Sequence, residues 1–481
     1  MNNFLTSSEK RRLKIINILA KKNTWLSLEN LSKLTNCSSK TLLSDCNFFQ
    51  ENWQSDFQLS ISKHKGVKIT FHPTSDRFSL YKKFLQQSSS ILFMEKVFLN
   101  PKHPITYWSK ALFLSESTLY RISHQINQEL AGLGIAIHTQ PAFLMGKKER
   151  TIRLLFLYLF EQVYEIYDWD FEGFNKEAII RLAENFGNPT NDKQVNRTAL
   201  GILISLLRYN QGFSLHESPN HTIDKAITKH LASKKQELEA TLPFELKNGW
   251  EREIAQTIFH SHYAWDNEEE KTRTSEAVSS FIQTLSKEEE LELTTKNKEE
   301  IVNQLLNIYT SFKSFPYFHQ LEFDKFLPNC GNLAEDYPKF VQIVKNQLLI
   351  LEKKRKFPWE SQLLQPVLEV LFSQCQHLAS QLEERNSKVE VLIYSTLGRN
   401  HAQSLKDKLE AHFPHRIKAD LSKQLIIESV NLESNYDLIL CDRPLSRLPK
   451  DKLFLVDTII SQKQIADLAL RIHCIQEKRG L

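Results

Sequence analysis

The chain has 481 residues, 41% hydrophobic and 25% charged, which is ordinary for a folded polypeptide but long for one core, so three to five domains are expected. Glycine is scarce at 12 residues, and neither G-x-G-x-x-G nor G-x-x-x-x-G-K-[ST] occurs, which argues against a nucleotide fold that cradles phosphates on its backbone. The formal charge of +5 is unevenly spread: residues 1–150 carry 21 Lys and Arg against 10 Asp and Glu, and the remainder carries 41 against 47, so a basic surface suited to a phosphate backbone is expected at the N-terminal end.

The basic helix expected over 8–21 buries Leu13, Ile16 and Leu19 or Ala20. In SLENLSKLT, Ser27 is a candidate N-cap and Leu28, Leu31 and Leu34 recur at threes. Asn36 to Ser39 makes a turn, with Ser38 or Ser39 capping the next helix. That helix has an inner face of Leu42, Cys46, Phe49 and Trp53, and Ser39, Lys40, Thr41, Ser44 and Asn47 lie outside near its start. Short polar side chains there suit a helix whose first turns enter a major groove. QLSISKHKGVKITF then alternates as a β-hairpin, with Leu59, Ile61, Val67 and Ile69 inward and Lys63, Lys65 and Lys68 crowding the tip. A helical pair followed by a basic hairpin is a winged helix-turn-helix, more specific than either half.

Residues 76–99 read as helical, ending before Pro101. The grammar then repeats. ITYWSKALF is a short helix and LSES a turn. STLYRISHQINQELAGL is an amphipathic helix burying Leu119, Ile122, Ile126, Leu130 and Leu133. Its outer face offers Thr118, Tyr120, Arg121, His124, Gln125 and Gln128; Arg pairs with guanine and Gln with adenine through two hydrogen bonds. Gly132 and Gly134 end it, and IAIHTQPAFLMG gives a second wing around Gln-Pro. Six apolar helical patterns between 147 and 286 predict a bundle, and three more follow between 294 and 386. The last hundred residues alternate strand and helix (VEVLIYS, GRNHAQSLKDKLEAHF, RIKAD, NYDLILCD, KLFLVDT, SQKQIADLALRIHCIQ), as in a small α/β domain with a mostly parallel sheet. The expected architecture is multidomain and mainly α: winged helix-turn-helix domains at 1–73 and 74–146, helical-bundle regulatory domains at 147–286 and 287–386, and the α/β domain at 387–481.

Cys37, Cys46, Cys330, Cys375, Cys441 and Cys474 form no C-x-x-C pair and read as reduced thiols. MNNFLTSSEK has no apolar signal core, and LLFLYLF at 154–160 falls far short of the roughly 20 residues of a membrane span, so a cytoplasmic protein without membrane partners is expected. His260 with His262, or His216 with His221, lacks the neighbouring ligand spacing of a zinc site. Glu288 to Glu290 reads as a solvated charge run, and no Ser-His-Asp pattern appears locally. No catalytic residue, metal or cofactor is expected; the partner expected is double-stranded DNA.

With these segments placed, the chain resembles the Mga/AtxA-like family of bacterial global and virulence transcriptional regulators. The resemblance rests on LSLENLSKLTNCSSKTLLSDCNFF, on LSESTLYRISHQINQEL and on the order of domains over essentially the whole length. It implies two helix-turn-helix domains, two phosphotransferase-system (PTS) regulation domains and a C-terminal domain like a IIB sugar-transport component. It further implies an activator that binds DNA, self-associates as a homodimer or higher through the C-terminal domain, and is tuned by PTS phosphocarrier proteins through histidine phosphorylation. At the family's modifiable positions this chain has Phe213, with His216 close by, and Tyr309, with His319 the nearest alternative; His260 and His262 resemble a further one. Where a IIB carrier holds phosphate on Cys after its first strand, this chain has Ser395, a far weaker nucleophile without an activating base, which implies a retired carrier kept for dimerisation or sensing. The rivals are a sugar-system phosphocarrier, against which Ser395 speaks, and an RNA-binding antiterminator sharing the regulatory bundles, which the winged pattern does not fit.

Overall fold

The computed structural model describes residues 4–22, 24–171, 173–186, 189, 191–215, 225–240, 242–259, 264–316, 333, 337–385, 388–422, 436–444 and 450–480. The chain forms two compact units, one of Met1–Glu276 with Leu305–Asn332 and one of Ala277–Gln304 with Leu333–Leu481. Among the described residues no helix is long and apolar enough to cross a membrane.

The first unit opens with α1 (Ser7–Lys22), α2 (Leu28–Thr35) and α3 (Ser39–Asn52), followed by the antiparallel pair β1 (Phe57–Ser62) and β2 (Gly66–Phe71). Both caps are serines: the Ser27 hydroxyl accepts from Asn30 N and the Ser38 hydroxyl from Thr41 N, each at 3.2 Å. These bonds satisfy amides that a helix start leaves without partners. Between the helices Asn36 takes a left-handed φ of 56°, which Asn tolerates better than most residues. Leu31, Leu42, Cys46, Phe49 and Trp53 are buried as expected, but Leu34 is 48% exposed. A step of six residues at 3.6 per turn carries a side chain about a third of a turn away from its starting face. Thr35, four residues after Leu31, is buried instead. Ile61 also departs from the expected core: its cross-strand partner Val67 is fully buried on the middle strand, flanked by Leu26, whereas Ile61 stands on the outer strand and is 37% exposed.

Leu26 makes a third, one-residue strand against the hairpin, its N–H donating to Val67 O at 2.9 Å and its carbonyl accepting from Val67 N at 2.8 Å. Gly66 is required beside it: φ is +95°, and a Cβ there would lie 2.0 Å from Leu26 O.

Helices α4 (Arg77–Gln87) and α5 (Ser89–Leu99) lead to the second repeat: α6 (Ile105–Ala111), α7 (Glu116–Leu130), β3 (Ile135–Thr139) and β4 (Ala142–Gly146). Ser115 caps α7 through Thr118 N at 3.2 Å, and Leu119, Ile122, Ile126 and Leu130 are buried. Ala142 pairs with His103 as Val67 pairs with Leu26, so the two repeats share a third-strand contact as well as helices and hairpin. The long α8 (Glu149–Val163) is buried on nearly every side from Ile152 to Phe160. It packs with α9 (Lys176–Glu184), α10 (Asp192–Asn210), α11 (Lys225–Ser233), α12 (Lys235–Glu239) and α13 (Trp250–Ile258) as a helical bundle. Helices α14 (Glu268–Glu288) and α15 (Thr295–Ser314) follow.

The second unit adds α16 (Pro338–Arg355), α17 (Leu364–Gln374) and α18 (Leu378–Arg385). Then come β5 (Val389–Tyr394), α19 (Arg399–His412), β6 (Ile417–Leu421), β7 (Leu438–Cys441), β8 (Leu453–Leu455) and α20 (Gln462–Gly480). The strands pair in the order β6-β5-β7-β8, all parallel. Val389, Val391 and Ile393 alternate onto one face with Leu405, Leu409, Leu468 and Ile472 of the helices, and Leu392 and Ile439 pack on the other. Near-continuous apolar strands covered on both faces are what a parallel sheet requires.

Candidate nucleic-acid interface

In each repeat the second helix presents a polar face to solvent because its apolar face is spent on the core. On α3, Ser39, Lys40, Ser44 and Asn47 are exposed and Thr41 is half-buried. On α7, Tyr120, Arg121, His124 and Gln128 are exposed and Thr118 is half-buried. Counting from the caps Ser38 and Ser115 puts the two faces in register: Thr41 matches Thr118, Ser44 matches Arg121, and Asn47 matches His124. Gln125 departs from the expected reading face. It is half-buried, and its Nε2 donates to Leu5 O at 3.3 Å, so the amide that would pair with adenine is engaged by the N-terminal segment. Gln128 and His124 hydrogen-bond each other at 3.1 Å on the open face.

The two wings differ in charge. Lys63 and Lys65 are exposed at the first tip, Lys65 lying 5.9 Å from the Trp25 ring, and Lys68 is half-buried on β2. At the second tip stand Gln140 and Pro141, with Gln140 Nε2 donating to the Tyr120 hydroxyl at 3.0 Å. That bond ties the wing turn to the reading helix.

A clamp that local pattern could not reveal holds α3. Asp45, on its inner face and 1% exposed, accepts from Arg11 Nε at 2.6 Å, Arg11 Nη2 at 3.1 Å and Arg12 Nε at 2.9 Å. Arg12 also lies over the Phe48 ring at 3.5 Å. The basic run of α1, counted from sequence toward a surface suited to a phosphate backbone, is thus partly an internal anchor. The hydrogen bonds to Asp45 hold the Arg11 guanidinium above its usual range, against the opposing effect of burial. Burial pushes the neighbouring Cys46 thiol up to about 11, with Asp45 adding to the shift.

Of the positions singled out for modification, His216, His260, His262 and His319 lie outside the described residues. The non-histidine residues at the other two positions are engaged. The Arg208 guanidinium lies 3.8 Å from the Phe213 ring, and Arg153 Nη2 donates to Phe213 O at 2.9 Å. Both arginines are buried and pair with Glu149, and Arg153 also pairs with Glu253. Tyr309 donates its hydroxyl to Glu270 Oε1 at 2.6 Å and stacks on Trp265, and Lys313 pairs with Glu270 and Asp266. Burial first, then the bond to Glu270, raises the Tyr309 phenol.

Ser395 follows β5, as read from sequence, but the premise that it lacks a neighbouring base is corrected by its surroundings. His401 Nδ1 lies 2.7 Å from Ser395 Oγ and Asp442 Oδ2 lies 2.8 Å from it. Asp442 also accepts from Thr396 N at 2.9 Å and Thr396 Oγ1 at 2.9 Å, and His401 Nε2 faces Thr458 O at 2.6 Å. Despite burial, these bonds hold the Asp442 carboxyl below its ordinary range.

Two family profiles coincide with the repeats. One, described as the M protein trans-acting positive regulator (MGA) HTH domain, matches residues 6–65, and the other, the Mga helix-turn-helix domain, matches residues 74–160. The chain is 21% identical over 460 residues to a protein of Streptococcus pneumoniae described as a trans-acting regulator, covering 92% of each. Residues 6–65 and 74–160 thus match Mga-type helix-turn-helix domains, and the chain as a whole is similar to the Mga/AtxA-like regulators. Two further relatives come from Bacillus anthracis. The capsule synthesis positive regulator AcpA is 20% identical over 432 residues, 85% of this chain and 87% of that one. The anthrax toxin expression trans-acting positive regulator is 25% identical over 180 residues, 37% of each. The matched spans contain the three serine caps, α3, α7 and the whole second hairpin, while of the first hairpin they take in β1 and the tip, β2 (Gly66–Phe71) falling between them.

Proposed function

We propose that the protein is a DNA-binding transcriptional regulator that acts as an activator, with α3 and α7 entering major grooves and the hairpins resting on phosphates. The observation that carries this is the repetition, in one chain, of a serine-capped helix with an open polar face, followed by a hairpin closed by a third strand. The excess of Lys and Arg over residues 1–150 supplies the electrostatic part of such binding. The two Bacillus anthracis relatives are described as positive regulators, which supports activation rather than repression.

On the same reading the remaining segments set oligomeric state and couple it to phosphorylation by PTS phosphocarrier proteins at one or more of His216, His260, His262 and His319. Residues 387–481 serve self-association rather than phosphoryl carriage. Although His401 gives Ser395 a base within reach, an incoming phosphoryl dianion meets the Asp442 carboxylate, which already takes the Thr396 donors. A cytoplasmic, non-enzymatic protein follows from this role.

A mobility-shift titration with random-sequence duplex DNA tests the core of the proposal. Binding at low salt should weaken steeply as salt rises; absence of any duplex binding at low salt would sink it. Deleting residues 387–481 should move light-scattering mass toward monomer.

A further inference from the structure

On the cap-based register of the reading helices, one position does not follow the polar pattern. Five residues after Ser38 stands Leu43, 39% exposed, and five after Ser115 stands Tyr120, also 39% exposed. Leu43 adjoins Ser44 and lies within one turn of Lys40 and Asn47, so it belongs to the open face and not to the core stripe of Leu42, Cys46 and Phe49. Tyr120 is placed likewise beside Arg121 and His124, and Gln140 Nε2 donates to its hydroxyl from the wing turn, which fixes the position of the exposed ring. An open apolar surface at the same register in two helices, each surrounded by groups that suit DNA, has a specific counterpart in the major groove. The thymine C5-methyl is the apolar feature that distinguishes an A·T pair there.

We propose that Leu43 and Tyr120 are specificity-determining residues that contact thymine C5-methyl groups, so that each head favours an A·T pair at the base step facing this position. The inference rests on the DNA-binding reading above. Uracil keeps thymine's hydrogen-bonding groups and lacks only the methyl, so it isolates the contact.

The experiment uses the full-length chain. Duplexes enriched from a random 30-bp library by the wild-type protein are copied by polymerase with either dTTP or dUTP, and their affinities compared at one salt concentration. Wild type should prefer the thymine form by about four-fold per contact, equivalent to about 0.8 kcal/mol for one buried methyl-sized group. Leu43→Ala and Tyr120→Ala should each lower that preference by about four-fold and together bring it near unity. Leu43→Met, which keeps an apolar side chain of similar size, should retain it. Circular dichroism confirms folding, which the partial exposure of both residues favours. If wild type binds duplex DNA but shows the same thymine-to-uracil ratio as the double variant, the proposed contact is wrong while the DNA-binding reading stands. If wild type binds no duplex, both fall.

Discussion

The clamp on α3 makes a prediction opposite in sign to simple electrostatics. Asp45 is an acid within a helix proposed to lie against phosphates, so deleting its charge should strengthen DNA binding if only long-range charge mattered. The geometry says otherwise. Asp45 accepts three charge-assisted bonds from Arg11 and Arg12 and is 1% exposed, whereas the two arginine side chains are 25% and 22% exposed. Removing one partner of a buried ion pair costs about 3–5 kcal/mol. The partly exposed guanidiniums can recruit water, which places Asp45→Ala near the lower end, at about 3 kcal/mol. Asp45→Asn keeps an acceptor but loses the charge, and should cost about half as much, roughly 1.5 kcal/mol. A single unfolding midpoint is poorly defined for a chain of several domains, so local stability is the proper readout. Amide hydrogen exchange by mass spectrometry, on peptides spanning α1 and α3, should speed up by roughly 100-fold in Asp45→Ala and roughly 10-fold in Asp45→Asn. Peptides from α19 should not change. Duplex affinity should fall in the same order, because the reading helix loses its attachment to α1. Unchanged exchange in α1 and α3 together with tighter DNA binding would refute the clamp.

Other consequences follow from single environments. Phe113, 94% exposed in the turn before α7, has φ of +54°, where Asn36 stands in the first repeat; Phe113→Asn should stabilise the second head by about 0.5–1 kcal/mol, and destabilisation seen by exchange of α7 amides would contradict this. Burial raises the Cys375 thiol to about 12 and the Cys441 thiol to about 11, as it does Cys46, so a thiol reagent at pH 8 should modify the exposed Cys474 first; early modification of the buried three, read by peptide mass, would be the opposite result. Burial also raises the Glu95 carboxyl despite the hydrogen bond from Tyr164. A carboxyl raised in the folded state contributes stability below its unfolded pKa and loses it as pH rises through the folded value, so Glu95→Gln should slow hydrogen exchange of α5 amides at pH 7, after correction for intrinsic exchange, and change it little near pH 4; faster exchange at pH 7 would count against it.

What the sequence disclosed and what it withheld divide along chain separation. The caps were partly legible because a cap bonds an amide three residues ahead: Ser27 was read as one, Ser38 as one of two candidates with Ser39, and Ser115 only as part of a turn. Hairpins and strands were legible because alternation is local. Leu34 misled because spacing by threes drifts off a helical stripe, and Ile61 because alternation says which way a side chain points but not which of two paired strands lies at the outer edge of the ladder. Gln125 reads as a groove-facing amide, but its Nε2 donates to the carbonyl of Leu5, 120 residues earlier. The Asp45 clamp spans 33 and 34 residues, and an acid inside a basic, DNA-facing segment gives no local sign of being a buried anchor. The register of Leu43 with Tyr120 needed only the two caps. A face defined by hydrogen-bonding side chains alone leaves out the apolar edge of thymine.

The two heads, though built alike, are suited to different parts of the same task. The first wing ends in Lys63 and Lys65, and its reading helix offers Lys40 with short hydroxyls and an amide. Such lysines neutralise phosphates and contribute affinity whatever the base sequence. The second wing ends in Gln140 and Pro141, with Gln140 spent on Tyr120, while its helix offers Arg121, the side chain whose fork matches guanine O6 and N7. On the proposed binding mode, neutralising the first wing with Lys63→Gln and Lys65→Gln should therefore flatten the salt dependence of binding and leave base preference intact. Arg121→Ala should do the converse, relaxing preference at one position with a change of about one or less in the slope of log affinity against log salt. If both variants shift slope and preference equally, the heads are interchangeable and the difference in their wings has no functional meaning.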